Sequence, residues 1–180
     1  MAAALRLLVV LIGLAGFVAA CATRPAAPGG VAAPIVIERD LAGRNVARGE
    51  FRSITGANRS FTAELDGAWD GRTLTLVEDF LFDDGERDRK TWVLLRQSNN
   101  EWRGSREDVV GYARDFQDGS VFRLEYDILL PTEDGGQRKV RFRDVLALQD
   151  EGVILNTATV GWFGFHVGSV TLTIERATVQ

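Results

Sequence analysis

The hydrophobic and polar positions of this chain alternate most regularly in the stretch 61–86. The alternation is interrupted at Asp70-Gly71, a dipeptide typical of tight hairpin turns, and resumes after it. This pattern predicts two antiparallel strands in which Trp69 pairs with Arg72. One face of the hairpin is apolar and the other polar, so a slip of one residue would expose the apolar set to water. The exception on the apolar face is the carboxylate of Glu78.

A second turn, Asp83-Asp84-Gly85, positions the next strand. A three-residue loop ending in glycine pairs Glu78 with Lys90 and turns Trp92 inward. A two-residue loop pairs Glu78 with Thr91 and places it diagonal to Arg89. Because an unpaired buried carboxylate costs several kcal/mol, Glu78 needs a base, and either register offers one. We favour the first register, since it also buries Trp92.

Strand-like runs separated by turn residues continue to the C-terminus, without a convincing amphipathic helix. Outside the first hairpin the runs are 46–54, 87–97, 101–107, 109–115, 121–130, 138–148, 153–160 and 167–176. A meander of about ten strands protects its edges by closure or by a second sheet, and consecutive hairpins favour closure. We therefore predict an all-β fold, an antiparallel up-and-down meander that closes into a barrel. Its outward positions are too charged to face lipid.

Alternation places two further polar residues inside, Tyr126 in the run 121–130 and Asp144 in the run 138–148. They could be paired core groups that fix the register, groups that orient a ligand in an apolar cavity, or acid–base catalysts. Nothing else in the sequence marks a reaction. The candidate ligand-binding residues are Glu78, Phe80, Lys90, Trp92, Leu124, Tyr126, Phe142 and Asp144.

The N-terminus has the pattern of a targeting segment. Arg6 precedes an apolar run, 7–18, that is too short to span a bilayer comfortably, and small residues then lead to the single cysteine, Cys21. This order resembles a bacterial lipobox, which implies that residues 1–20 are removed and that Cys21 is acylated. The alternative is an ordinary secretory peptide with a chance cysteine.

The lipobox resemblance also implies a cellular location. A residue other than aspartate after the cysteine, here Ala22, implies transfer to the outer membrane, with the domain facing the periplasm. The Ala/Pro/Gly-rich residues that follow predict a flexible tether over 21–34, and 35–180 form the barrel domain.

Composition and charge limit the kinds of partner and cofactor that we expect for this protein. The formal charge of −4 and the lack of a basic cluster exclude nucleic acid. The only histidine, His166, lacks companions for a zinc site, so we expect no cofactor and no metal. We expect a monomer.

Several motifs resemble known families. Gly67-Ala68-Trp69 resembles the GxW of lipocalins, whose tryptophan closes one end of the barrel. A wider set occurs in order: WDG at 69–71, the acidic and aromatic stretch 78–85, the Trp92 strand, and the segments 108–111, 126–131 and 163–168, with Asn156 before the last. Together they resemble a family of proteobacterial lipoproteins called domain of unknown function 3833, over about residues 40–176. The resemblance implies a lipocalin-like barrel without established catalytic residues. Members often sit near genes for modifying membrane fatty acids, which implies a lipid ligand.

Two functions follow from these features. The first is a binding module that holds a fatty acid, phospholipid or other apolar molecule. The second is a structural or assembly lipoprotein of the envelope whose barrel is filled by its own side chains. An enzyme ranks third. A cavity of about 300 Å³ or more would favour the first.

Overall fold

The chain folds into a closed antiparallel barrel of ten strands, in a computed structural model that describes residues 23–131 and 135–178. The strands are β1 Gly43–Ser53, β2 Asn58–Trp69, β3 Thr73–Phe82, β4 Arg87–Arg96, β5 Glu101–Ser105, β6 Ala113–Asp118, β7 Val121–Pro131, β8 Gln137–Leu148, β9 Ile154–Trp162 and β10 Phe165–Arg176. Each pairs with its neighbour in sequence, and β1 pairs with β10 to close the ring. The predicted up-and-down, lipocalin-like barrel is confirmed.

Helix is scarce in the described chain. A short helix α1, Ile37–Asp40, precedes β1, and a 3-10 turn, Asp150–Gly152, joins β8 to β9. No helix among the described residues has the length and apolar character needed to cross a membrane.

The β2–β3 hairpin differs from its predicted register by two residues. Trp69 pairs with Leu74, not with Arg72, and the turn centres on Gly71 and Arg72. Gly71 has a φ of +96°, and the Asp70 carboxylate accepts two backbone N–H groups of the turn at 2.7 and 2.8 Å. Asp70 therefore caps the turn from outside rather than occupying its centre. Since the offset is even, every side chain keeps its predicted face.

The β3–β4 hairpin has the favoured three-residue loop. The Phe82 N–H donates to the Glu86 carbonyl at 2.9 Å, and Gly85 has a φ of +86°. Glu78 pairs with Lys90 in the ladder, as predicted. The prediction for 109–115 is wrong, because β6 begins only at Ala113.

The loop 106–112 explains that error. Its apolar residues contribute only one isolated bridge, between Val109 and Ile128. Val110 and Tyr112 are instead 43% and 63% exposed at the end of the barrel, so their hydrophobicity does not mark a strand.

α1 and two tryptophans close one end of the barrel, called here the closed end. The rings of Trp69 and Trp102 lie 5.6 Å apart, and the Arg96 guanidinium lies 5.0 and 4.7 Å from their centroids. Arg96 also pairs with Glu38 of α1. The tryptophan of the GxW motif thus lies where the lipocalin resemblance implied.

The glycine of the same motif has a steric role. The carbonyl oxygen of Leu41 passes over Gly67 where a Cβ atom would stand, and Leu41 is buried. The chain can leave α1 and enter β1 across the barrel only because position 67 has no side chain.

The segment before α1 contacts the outer wall. Thr159 Oγ1 donates to the Thr23 carbonyl at 2.7 Å, near the middle of β9, and the Ala32 N–H donates to the Leu148 carbonyl at 2.9 Å, at the closed end. Between them Arg24 pairs with Glu125. Because of these contacts, the described segment before α1 extends less far from the barrel than a free chain of the same length would. Cys21 and the predicted signal peptide lie outside the described residues, so the predicted boundaries there stay predictions.

Candidate functional site

A cavity of ≈ 380 Å³ occupies the barrel above the closed end. Alternation along the strands turns large apolar side chains into it. Leu41, Leu65, Leu76, Leu94 and Phe122 line its deep part, and Phe51, Phe61, Phe80, Phe82 and Leu130 line the part near the opposite, open end. Leu130 is 41% exposed, so the cavity reaches the surface there. A cavity of this size falls in the range of small-molecule sites.

All the candidate ligand-binding residues line this cavity: Glu78, Phe80, Lys90, Trp92, Leu124, Tyr126, Phe142 and Asp144. The predicted faces of β3, β4, β7 and β8 were therefore correct. That these side chains bind a ligand stays a prediction.

Tyr126 links the polar and aromatic parts of the site. Its hydroxyl donates to Asp144 Oδ2 at 3.0 Å. Its ring stacks on Phe142 at 5.4 Å and meets the edge of Trp92 at 5.0 Å between centroids. The phenol is thus held rigidly from three sides, and it orients the Asp144 carboxyl.

Arg106, directly after β5, is a cavity-lining residue that the sequence analysis missed. Its guanidinium lies 4.7 Å from the Trp92 centroid and 5.4 Å from that of Tyr126. Asp108 binds it with two contacts, from Nε at 2.7 Å and from Nη2 at 3.2 Å. The alternation of Trp102, Gly104 and Arg106 could have predicted its inward direction.

The predicted ion pair between Glu78 and Lys90 is wrong. Lys90 Nζ lies 3.0 Å from Asp88 and 3.7 Å from Asp108, and within the described residues no ion pair joins it to Glu78. The two residues are ladder partners, but the lysine side chain extends toward the open end. There its ammonium finds carboxylates that are still in contact with water, and avoids the cost of full desolvation.

The two cavity acids titrate near neutrality. Burial raises the pKa of Glu78 to about 7. The charge of Arg106 opposes this rise, and the charge of Asp144 adds to it. Burial also raises the pKa of Asp144 to about 7, opposed by the Tyr126 hydrogen bond and by Arg106. Glu78 keeps some accessible surface, but its position among inward residues means that this surface faces the cavity. The cavity can therefore change charge around pH 7.

Buried polar atoms of three side chains lack a hydrogen-bond partner within the described chain, and one of them is Arg96 Nε at the closed end. Asn156 Oδ1, on the cavity lining, has no hydrogen-bond partner. Asp115 is fully buried beside the lining, and neither of its oxygens has a partner of acceptable geometry. Burial raises the pKa of Asp115 to about 8, reinforced by Asp144 and opposed by the Gly104 backbone. Asn156 Oδ1 is thus a buried acceptor without a partner among the described residues, and Asp115 is an acid that the fold favours in its neutral form.

Solved structures share this barrel. The S-type phycobiliprotein lyase CPES from Guillardia theta superposes with a TM-score of 0.58 at 9% identity, over 80% of this chain and 92% of that one. The protein Rv2717c from M. tuberculosis superposes with a TM-score of 0.56 at 16% identity, over 78% of this chain and 94% of that one. Such identities show a common fold alone.

Sequence comparison is more specific at the level of the family. No curated protein matches the chain in sequence. A family model does match, over residues 15–176, a range that contains the whole barrel from β1 to β10 and every residue of the cavity lining. The chain therefore belongs to the family described as "Protein of unknown function (DUF3833)".

Proposed function

We propose that this protein is a lipid-anchored binding module of the bacterial outer membrane, facing the periplasm, whose barrel holds an amphiphile such as a fatty acid or phospholipid. The observation that carries the proposal is the cavity of ≈ 380 Å³, with long apolar walls and a few polar groups set among them. The proposed alternative is a filled barrel with a structural role, and a cavity above about 300 Å³ argues against it.

The walls suit an acyl chain. Phe61 lies 5.5 Å from Phe80 and 5.9 Å from Phe82 between ring centroids, which gives the mouth an aromatic collar. Leucines continue the apolar surface to the closed end. Each methylene that leaves water for this surface contributes about 0.8 kcal/mol to binding.

The polar groups of the cavity suit a head group. Arg106 is fixed by Asp108 and stacked on Trp92, so its guanidinium is pre-oriented to bind an oxyanion. A carboxylate or phosphate head would lie near Glu78 and Asp144, and both acids would then take up protons. The carboxamide of Asn156 is a further polar group on the cavity lining.

The anchor part of the proposal depends on Cys21, the only cysteine of the chain, which follows the lipobox-like residues 18–20. Cys21→Ser should leave an unprocessed precursor and abolish labelling by radioactive palmitate. A variant that still incorporates palmitate would exclude this anchor.

The binding part is tested by titration of the mature chain with a fluorescent fatty acid, following energy transfer from Trp92. We expect saturable binding in the micromolar range, with most of the signal lost in Trp92→Phe. Trp162→Phe is the matched control, because Trp162 lies on the outer rim and is absent from the cavity lining. Leu124→Trp should weaken binding by filling the cavity. If neither a fatty acid nor a lysophospholipid binds saturably, the structural alternative is the better one.

A further inference from the structure

The turn between β9 and β10 carries an exposed group of aromatic side chains at the open end. Trp162, Phe163 and Phe165, called here the aromatic tip, are 38%, 84% and 52% exposed. Phe163 has a φ of +48°, a conformation that favours glycine, so the turn holds a phenylalanine outward where a small residue would fit better. Ile54, 64% exposed, lies beside the tip, with its N–H donating to the Val167 carbonyl at 3.1 Å.

The charges around the open end are unevenly distributed. β8 next to the tip carries Lys139, Arg141 and Arg143 on its outer side and Arg138 at the rim of the open end. Arg138 lies 4.7 Å from the Trp162 centroid, and Asp127 pairs with Lys139 and Arg141. The acidic β3–β4 turn, 83–86, lies on the far side of the ring. Among the described residues, the apolar side of the open end is therefore also its basic side.

The start of the described chain lies on the same side. Thr23 is hydrogen-bonded to Thr159 of β9, three residues before Trp162. At about 3.3 Å per residue, this places Thr23 roughly 10 Å along the strand from the tip. Cys21 precedes Thr23 by two residues, which span at most about 7 Å. An acyl group on Cys21 would therefore enter a bilayer close to the aromatic tip.

We propose that the aromatic tip inserts into the headgroup region of the same bilayer that holds the Cys21 lipid, with the basic residues of β8 facing anionic headgroups. Tryptophan is enriched at this depth of membranes, and basic segments next to apolar ones bind anionic lipid surfaces. Docking in this orientation places the cavity mouth against the lipid surface. This inference rests on the proposed anchor, and it adds a second point of contact that orients the barrel.

The test uses the acylated chain in vesicles of phosphatidylethanolamine and phosphatidylglycerol. Because acylation consumes the only native thiol, Phe163→Cys carries a single environment-sensitive fluorophore. We expect a blue shift, a several-fold rise in emission, and quenching by lipids with a quencher in the upper acyl chain. Val93→Cys is the matched control: Val93 is 37% exposed on β4, five strands from β9 in the ring, and its label should not respond.

Further variants separate docking from labelling artefacts. A label at Phe165→Cys should respond in the same way and lose its response when Phe163→Ser is added. Replacing Arg138 or Lys139 by alanine should lower the docking constant about fivefold for each charge removed on anionic vesicles.

The outcomes distinguish docking from anchoring. If the chain floats with the vesicles while the label at position 163 behaves like that at position 93, docking is overturned and the anchor stands. If the acylated chain does not float, the anchor is wrong and docking is wrong with it. A response that appears without vesicles and grows with protein concentration would assign the tip to contact with a second copy, and would overturn docking.

Discussion

Tyr126 Oη donates a hydrogen bond of 3.0 Å to Asp144 Oδ2 between β7 and β8, and both residues are buried. The bond opposes the burial that raises the pKa of Asp144 to about 7. It therefore lets a carboxyl group inside an apolar barrel ionise near neutral pH instead of far above it. The aromatic neighbours of Tyr126 hold the donor in place.

Removing this hydroxyl tests the relationship. Tyr126→Phe should raise the pKa of Asp144 above about 7 and destabilise the fold by about 1–3 kcal/mol at about pH 8.5, where Asp144 carries charge without a donor. The cost should be smaller at about pH 6, where Asp144 is neutral. Urea unfolding at both pH values measures the difference. Tyr112→Phe is the control, since Tyr112 is the only other tyrosine and is 63% exposed, and an equal effect of both variants would contradict this role.

The three buried acids should make stability fall as pH rises. Glu78, Asp144 and Asp115 have pKa values of about 7, 7 and 8 in the folded chain, against ordinary values of 4.5, 3.8 and 3.8. The folded chain therefore binds more protons than the unfolded chain between about pH 4 and 8, and loses stability over that interval. Each unit of pKa rise corresponds to about 1.4 kcal/mol.

Thermal melts across this range measure the slope. Asp115→Asn should flatten it most above about pH 7, because the neutral amide cannot ionise and Asp115 has the highest pKa of the three. Asp79→Asn is the control: Asp79 faces outward, Arg89 lowers its pKa, and its contribution is lost only in acid. A melting temperature that rises from pH 5 to 8 in the wild type would contradict the prediction.

Alternation was sufficient to predict the fold and most of the cavity. Glu78, Tyr126 and Asp144 face inward whichever hairpin register holds, because registers that differ by two residues present the same face. This is why a wrong turn at Asp70-Gly71 did not alter the predicted lining. In the structure, the Asp70 carboxylate accepts two backbone N–H groups of the turn and so lies just before its centre. The sequence Asp-Gly is the same whether the aspartate caps the turn in this way or occupies its centre.

The partners of the polar side chains could not be predicted. Lys90 has several carboxylates within reach of its long side chain, and only the three-dimensional arrangement shows that it reaches Asp88 and Asp108. Arg106 was missed although it continues an alternating run, because the short β5 has too few residues to define a face. Positions exposed at the open end, such as Val110, have the hydrophobicity of a strand without its pairing.

Gly67 should tolerate no side chain. Because the Leu41 carbonyl occupies the position of a Cβ atom, Gly67→Ala must displace backbone, and we expect a loss of about 1–3 kcal/mol. Gly29→Ala is the control, since nothing lies within 4 Å of its Cβ position, and it should change stability by less than about 0.5 kcal/mol. Urea unfolding of both variants measures the difference, and equal stabilities would mean that the chain between α1 and β1 does not pass over Gly67.

Arg106, rather than Lys90, should hold the head group of an anionic ligand. Arg106→Met should weaken the binding of a fatty acid by about tenfold or more, which is the loss expected for a charged hydrogen bond. It should weaken the binding of a fatty alcohol of the same length less. Lys90→Met should have the smaller effect, because the Lys90 ammonium extends toward the open end, whereas the Arg106 guanidinium lies against Trp92 and Tyr126 inside the cavity. Fluorescence titration with both ligands separates the contribution of the head group to binding from that of the acyl chain. Melting curves show whether each variant is still folded. The reverse order of the two variants would restore the lysine as the binding group.

Binding of a fatty acid should weaken as pH rises from about 6 to 8.5. Glu78 and Asp144 line the cavity with pKa values of about 7, so at low pH the ligand carboxylate meets neutral acids and the charge of Arg106, whereas at high pH it meets two carboxylates. If binding requires one of these acids to be protonated, affinity falls about tenfold per pH unit above its pKa. Glu78→Gln should remove one part of this dependence and Asp144→Asn the other, while a fatty alcohol should show little dependence in any variant. Isothermal titration in buffers of different ionisation enthalpy measures the accompanying proton uptake. A fatty-acid affinity that is constant or rises over this range would show that the head group does not lie near these acids.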